Sequence, residues 1–207
     1  MQRFRLISIL IFLPMMIVPV ILNGPEYLFR YITQWGIEFA IISTLLTYYS
    51  AKNPSSLMLK RLSIVTLEIA IFLNFGNLVT FWTTFAPFYF CCIENYWIVA
   101  LSWSHIVPQF LLLANLFLSD ARILRKDVMW GLSFASLYLV IDYVRVICLE
   151  SGITYEFLHW NSIISIHNSL KYLACCVILY LIIWYGNEKF KRMMKQDDDR
   201  IHQEVMA

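Results

Sequence analysis

Long apolar runs separated by short polar segments dominate the hydrophobic pattern of this chain. A helix that crosses the hydrocarbon core of a bilayer needs about 20 mostly apolar residues. The runs of that length cover residues 5–23, 29–50, 63–86, 97–119, 128–149 and 163–185. The pattern therefore predicts an all-α fold, a polytopic membrane protein built as a bundle of six transmembrane helices.

The basic residues indicate how the predicted helices are oriented. Most of the 16 lysines and arginines precede the first span, follow the sixth, or lie between spans two and three and spans four and five. Basic residues concentrate in cytoplasmic segments, so both termini are expected to be cytoplasmic. The predicted organisation is a six-helix transmembrane domain over residues 1–186 and a charged cytoplasmic tail over residues 187–207.

The composition excludes several other classes of protein. The chain is 60% hydrophobic and 14% charged, whereas soluble domains are nearer half apolar and a quarter charged. A net charge of +2 is too small to indicate a nucleic-acid partner. The five cysteines have no metal-binding spacing, so no metal or cofactor is predicted. The expected partners are the membrane itself and a lipid, either a substrate or a bound phospholipid.

Polar side chains within the predicted spans concentrate in the half of the membrane away from the cytoplasm. At the helical rise per residue, Thr33, His105 and Lys171 each lie roughly 7 to 12 Å below that surface. Ionisable residues inside a span are costly, so each one indicates a functional site by default. The shared depth of a hydroxyl, an imidazole and an amine predicts a polar site in the outer leaflet half.

The spacing of these residues is helical. His105 and Gln109 are four apart in the fourth span, and His167 and Lys171 are four apart in the sixth. Residues four apart share one face of a helix. If these stripes face a common interior, they enclose a polar cavity.

A structural explanation also exists for the charged residues. Asp142 and Arg145 are three apart in the fifth span and are expected to form an ion pair that neutralises both charges. Glu38 in the second span is expected to be either protonated or paired with Lys171. A single histidine or threonine in a helix is usually a core residue, so the shared depth is what favours a site.

Three short segments form a recognisable combination. Tyr31-Ile32-Thr33 places a threonine at the start of the second span, and His105 is followed by Pro108 and an aliphatic stretch. The segment over residues 152–158 (GITYEFL) follows the fifth span. Together they resemble the androgen-induced-protein family, six-helix membrane proteins of which some hydrolyse fatty acid esters of hydroxy fatty acids. The resemblance covers roughly residues 28–185 of the sequence.

The resemblance implies that Thr33 is a nucleophile and His105 its general base. A threonine hydroxyl needs an adjacent base to attack an ester carbonyl, and histidine can take that proton and return it to the leaving alkoxide. The side chains expected to bind the lipid substrate are Lys171, Arg145, His167 and Gln109.

Two hypotheses from different classes follow. The first is a membrane-embedded lipid ester hydrolase that uses the Thr33–His105 pair in a cavity at the level of the outer leaflet. The second is a non-catalytic, lipid-binding accessory subunit of a larger membrane complex with the same fold. The resemblance implies the endoplasmic reticulum or plasma membrane, and an accessory subunit would also fit the mitochondrial inner membrane.

Overall fold

The computed structural model describes residues 1–86, 95–149, 152, 155, 158 and 160–206, with only the backbone described for 84–85, 95–101 and 197–206. Helices are the only regular secondary structure of this part of the chain. The α-helices are α1 (Gln2–Asn23), α2 (Tyr27–Arg30), α3 (Ile32–Lys52), α4 (Leu57–Thr80), α5 (Asn95–Leu118), α6 (Val128–Tyr143) and α7 (Ile163–Met206). The π-helical segments Phe81–Phe85 and Val144–Cys148 extend α4 and α6. The predicted all-α fold is confirmed.

Four helical segments are long and apolar enough to cross a membrane. They are Gln2–Asn23, Leu57–Thr83, Arg125–Cys148 and Ile163–Gln196. These segments coincide with the first, third, fifth and sixth predicted spans. The second predicted span is the helix α3, and the described apolar part of the fourth is the shorter segment Ser102–Leu118. Four such helices are compatible with an integral membrane protein.

The helix α4 is central and contacts α3, α5, α6 and α7. Two glycines allow its neighbours to approach closely. A Cβ on Gly36 of α3 would lie 3.0 Å from the Asn74 amide, and one on Gly131 of α6 would overlap the Phe72 ring. The amide of Asn74 donates to the Gly36 carbonyl at 2.8 Å, so α3 and α4 are joined by a buried hydrogen bond.

Two further hydrogen bonds show how α3 and α5 run relative to α4. Asn77 of α4 donates to the Ile32 carbonyl at 3.2 Å, and Gln109 of α5 donates to the Asn74 carbonyl at 2.8 Å. Later residues of α4 therefore meet earlier residues of α3, so the two helices are antiparallel. The stacking of His105 on Phe81 shows that α5 is also antiparallel to α4, because a later residue of the α4 segment again meets an earlier residue of α5. The helices α3 and α5 thus start where α4 ends, and we call this the Thr33 end of the bundle.

The helix α7 continues without interruption past residue 186. Asn187 is buried, and the Lys191 amine donates to the Phe117 carbonyl at 3.1 Å and to the Ser119 carbonyl. A lysine in this place satisfies carbonyls that the end of α5 leaves unpaired. The first residues of the predicted tail therefore pack against the bundle, and the division at residue 186 stays a prediction.

Candidate functional site

Thr33 lies in the first turn of α3, a turn that is fixed to α6. The Tyr138 hydroxyl donates to the Arg30 carbonyl at 2.7 Å, and the Asn77 amide of α4 donates to the Ile32 carbonyl at 3.2 Å. These two bonds hold the backbone on either side of Tyr31, the residue that caps α3 in an extended conformation. The position of Thr33 is therefore set by contacts with the core of the bundle.

The Thr33 hydroxyl lies within hydrogen-bonding reach of the Tyr155 hydroxyl. Tyr155 belongs to the segment after α6 that carries the third motif, of which the structure describes Gly152, Tyr155 and Leu158. Part of its ring is exposed, but its hydroxyl is enclosed by protein, and this burial raises the pKa of the Tyr155 phenol. Tyr155 therefore presents a neutral hydroxyl to Thr33.

Two hydrogen bonds join α3, α4 and α5 at one level along the bundle, the level of Gly36, Asn74 and Gln109. The Asn74 side-chain amide donates to the Gly36 carbonyl, and the Asn74 backbone carbonyl accepts from the Gln109 side chain, each at 2.8 Å. Thr33 lies three residues before Gly36, and His105 lies four residues before Gln109. Residues three or four apart stack on one helix face. Thr33 and His105 thus each lie one turn beyond this level, toward the Thr33 end of the same three-helix junction.

His105 is held by ring stacking. Its imidazole lies 4.1 Å from the Phe81 ring, centroid to centroid, with an angle of 12° between the planes. Its Nδ1 atom is buried and has no hydrogen-bond partner among the described residues. The described side chains also give no hydrogen bond between Thr33 and His105. The structure places the two residues at one junction, and their direct pairing stays a prediction.

Further buried polar atoms without a hydrogen-bond partner occur on α3 and α5 within the described residues. They include Gln34 Nε2, Trp35 Nε1, Glu38 Oε1 and Gln109 Oε1. Most buried polar groups in native proteins are hydrogen-bonded. These unpartnered atoms lie on α3 and α5, the two helices that carry Thr33 and His105.

Asp142 and Arg145 form an ion pair in which Arg145 Nη2 lies 2.8 Å from Asp142 Oδ1. The second carboxylate oxygen accepts from the Trp160 indole at 2.7 Å, and Arg145 Nη1 donates to the Gly152 carbonyl at 2.9 Å. The pair therefore joins α6 to both ends of the connection that leads to α7. These contacts fit the predicted structural ion pair, and a role of Arg145 in binding a substrate stays a prediction.

His167 and Lys171 lie on the exposed face of α7. The expectation that this stripe faces the bundle interior is wrong. The inward face of α7 is formed instead by Ser165, Ser169, Tyr172, Cys176 and Tyr180. Small side chains and aromatic rings on this face fit the close approach of α7 to α4 and α6 better than an imidazole and an amine would. The described part of the chain also has no ion pair between Glu38 and Lys171.

An apolar groove of about 280 Å³ lies between α6 and α7. Its lining residues are Ser136, Leu139, Val140, Tyr143, Trp160, Ile166, Ser169, Leu170 and Leu173. Neither Thr33 nor His105 contributes to this lining. His167 and Lys171 directly follow Ile166 and Leu170 in sequence but do not contribute to this lining.

A second buried polar cluster lies at the opposite end of the bundle and was missed by the sequence analysis. Glu68 is fully buried, and its Oε1 accepts from the Leu124 amide at 2.9 Å. The Arg61 guanidinium lies 2.8 Å from Asp127, and the Tyr180 hydroxyl donates to the Leu124 carbonyl at 2.9 Å. These contacts anchor the connection between α5 and α6 to α4 and α7.

No family model, curated protein or solved structure gives a match to this chain. The resemblance to the androgen-induced-protein family stays a hypothesis carried by the three motifs. Among the described residues, no group of three or more histidine, cysteine or acidic side chains is placed to hold a metal ion. A functional proposal must therefore be argued from the side chains of the junction.

Proposed function

We propose that this chain is a membrane-embedded lipid ester hydrolase in which Thr33 is the nucleophile and His105 the general base. The observation that carries the proposal is the position of both residues one turn beyond the hydrogen-bonded level of Gly36, Asn74 and Gln109. A hydroxyl and an imidazole with an unpartnered nitrogen thus lie at the same end of one buried junction. This pair is the minimum that acyl transfer requires.

The reaction needs no group beyond the chain, the ester and water. The Thr33 hydroxyl oxygen forms a bond to the ester carbonyl carbon while His105 takes the hydroxyl proton. Collapse of the tetrahedral intermediate breaks the bond to the alkoxide, which receives the proton from His105. Water then attacks the acyl-threonine with the same help from His105, and the acid and free Thr33 are released. The neutral hydroxyl of Tyr155 beside Thr33 is placed to orient the nucleophile.

We also propose that all six predicted spans cross the membrane, with both termini cytoplasmic. The helix α3 has 21 residues, which gives a length of about 31 Å against about 30 Å for the hydrocarbon core of a bilayer. The hydroxyls of Ser43, Thr44 and Thr47 donate to carbonyls of α3 itself. A helix that satisfies its own hydroxyls in this way is compatible with a spanning position. The resemblance favours the endoplasmic reticulum or the plasma membrane.

The groove between α6 and α7 favours a second candidate, the lipid-binding accessory subunit. It is apolar, it is open to the surroundings, and it is separate from Thr33 and His105. Such a groove accommodates an acyl chain without any reaction. In that case the chain would bind a phospholipid in a larger membrane complex, including a complex of the mitochondrial inner membrane.

Hydrolysis by the purified protein distinguishes the two candidates. The wild type, Thr33→Ala, His105→Ala and Thr33→Ser are reconstituted in lipid nanodiscs and assayed with a panel of long-chain lipid esters. Loss of the hydroxyl or of the imidazole should each abolish turnover, whereas Thr33→Ser should retain part of it because the hydroxyl remains. Thr47→Ala is the matched control, since Thr47 is a buried threonine of α3 whose hydroxyl donates only within the helix.

Turnover in Thr33→Ala equal to that of the wild type would exclude Thr33 as the nucleophile. A folded wild type that hydrolyses none of the esters, but retains phospholipid through purification, would favour the accessory subunit.

A further inference from the structure

Two buried polar atoms on α5 lie one turn apart and lack hydrogen-bond partners in the part of the chain that the structure describes. Gln109 is 3% exposed, and neither its Oε1 nor His105 Nδ1 has a hydrogen-bond partner among the described residues. The two residues are four apart in one helix, a spacing that brings their Cβ atoms to about 5 to 6 Å. One atom is an acceptor, and the other is a donor in one tautomer of the imidazole.

The orientation of the Gln109 amide is fixed by its other end. Its Nε2 donates to the Asn74 carbonyl at 2.8 Å, and Asn74 is bonded to Gly36 at the same distance. Because the Gln109 nitrogen donates to α4, the Gln109 oxygen points away from the Asn74 carbonyl. Gln109 therefore presents an acceptor from a rigid part of the bundle.

The orientation of the His105 ring is restricted as well. Its parallel stacking on Phe81 limits rotation of the imidazole out of that plane. A neutral imidazole carries a proton on one nitrogen and a lone pair on the other, and the hydrogen bond at one nitrogen determines the tautomer. A general base needs the lone pair on the nitrogen that faces the nucleophile.

We infer that Gln109 is the positioning residue for His105: its Oε1 is the acceptor for the Nδ1–H, in a contact that shortens to a hydrogen bond when substrate binds, and this leaves the Nε2 lone pair for the Thr33 hydroxyl. The inference rests on the proposed function, because His105 needs a defined tautomer only if its imidazole takes the proton of Thr33. It replaces the expectation that Gln109 contacts the lipid. Hydrogen bonds of catalytic groups are often long without substrate and shorten when it binds.

The test reads the tautomer directly and independently of turnover. The protein is labelled with ¹⁵N-histidine on a background in which the other three of its four histidines are replaced, and nitrogen NMR is recorded in nanodiscs. The Nδ1–H tautomer of His105 should dominate in the wild type and lose that dominance in Gln109→Met. In the same variant, kcat should fall about 10- to 100-fold, the range found for partners that orient metal-binding imidazoles, with little change in KM.

Two further variants separate orientation from packing. Gln109→Glu keeps an acceptor oxygen and should keep the Nδ1–H tautomer. Asn187→Leu replaces another fully buried amide, which lies on α7 one turn before Lys191, whose amine contacts the end of α5 away from His105. It should leave the tautomer and kcat unchanged. If Gln109→Met does not fold, loss of the tautomer in Gln109→Glu contradicts the inference.

The two proposals fail in different ways. An unchanged His105 spectrum in folded Gln109→Met overturns the positioning role, whatever the turnover of the wild type. Normal turnover in Thr33→Ala overturns the hydrolase mechanism, whatever the spectrum shows.

Discussion

Replacing Arg145 by leucine should destabilise the fold more than replacing Arg145 and Asp142 together. Asp142 is 1% exposed and accepts from Arg145 at 2.8 Å and from Trp160 at 2.7 Å. The single variant removes the cation and leaves the buried carboxylate without its charged partner. The double variant removes the carboxylate as well, so no uncompensated buried charge remains and the Trp160 indole loses its acceptor.

The structure allows both costs to be approximated. Breaking a buried ion pair by removing one partner costs about 3 to 5 kcal/mol. The Arg145 side chain is 19% exposed, so water compensates part of the loss, and we expect about 2 to 4 kcal/mol for Arg145→Leu. An unsatisfied buried donor costs about 1 to 3 kcal/mol, and we expect the double variant to lose stability within this range. The double variant should therefore be more stable than Arg145→Leu by about 1 kcal/mol.

Unfolding in mixed detergent micelles, followed by tryptophan fluorescence, measures these differences. The Trp160 indole donates to the Asp142 carboxylate, so its fluorescence is expected to change when the contacts of Asp142 are lost. Arg192→Leu is the matched control, because Arg192 is 79% exposed and lies 3.6 Å from Glu188, and such surface pairs are worth about 0 to 1 kcal/mol. Equal free energies of unfolding for the single and double variants would refute the prediction that the unpaired Asp142 carboxylate destabilises Arg145→Leu.

Three further predictions follow from the packing, the electrostatics and the topology. Gly131→Ala should lower the free energy of unfolding by about 1 to 3 kcal/mol, because its Cβ would overlap Phe72; an unchanged unfolding curve would contradict this close approach. Burial raises the pKa of Tyr155, so the phenol stays protonated when exposed tyrosines ionise, and stability that is present below about pH 10 should be lost as the pH rises further. An ultraviolet titration of wild type against Tyr155→Phe checks this, and ionisation of Tyr155 together with the exposed tyrosines would contradict it. Ser55→Cys on a cysteine-free background should resist an impermeant thiol reagent added outside intact cells, and labelling there would reverse the proposed topology.

The helices could be predicted from the sequence because apolar runs of this length leave few alternatives. Each of the six runs coincides with an observed helix, and the spacing of Asp142 and Arg145 indicated their pairing. Both features are local, since they depend on neighbours along a single helix.

The missed features depend on residues that are distant in the sequence. Tyr138 reaches the Arg30 carbonyl across 108 positions, and the Trp160 indole donates to Asp142 across 18 positions. The orientation of α7 also could not be predicted, because apolar residues occur on all of its faces. The four-residue spacing of His167 and Lys171 places them on one face of α7. The spacing could not show that this face is exposed.

The identity of Thr33 as the nucleophile is tested most directly by covalent labelling. A long-chain alkyl fluorophosphonate is incubated with the reconstituted protein, and the modified peptide is mapped by mass spectrometry. The account predicts that phosphorus bonds to the Thr33 oxygen as fluoride leaves and His105 takes the proton, and that His105→Ala is not labelled. An unlabelled wild type, or a label on any other residue, would contradict it.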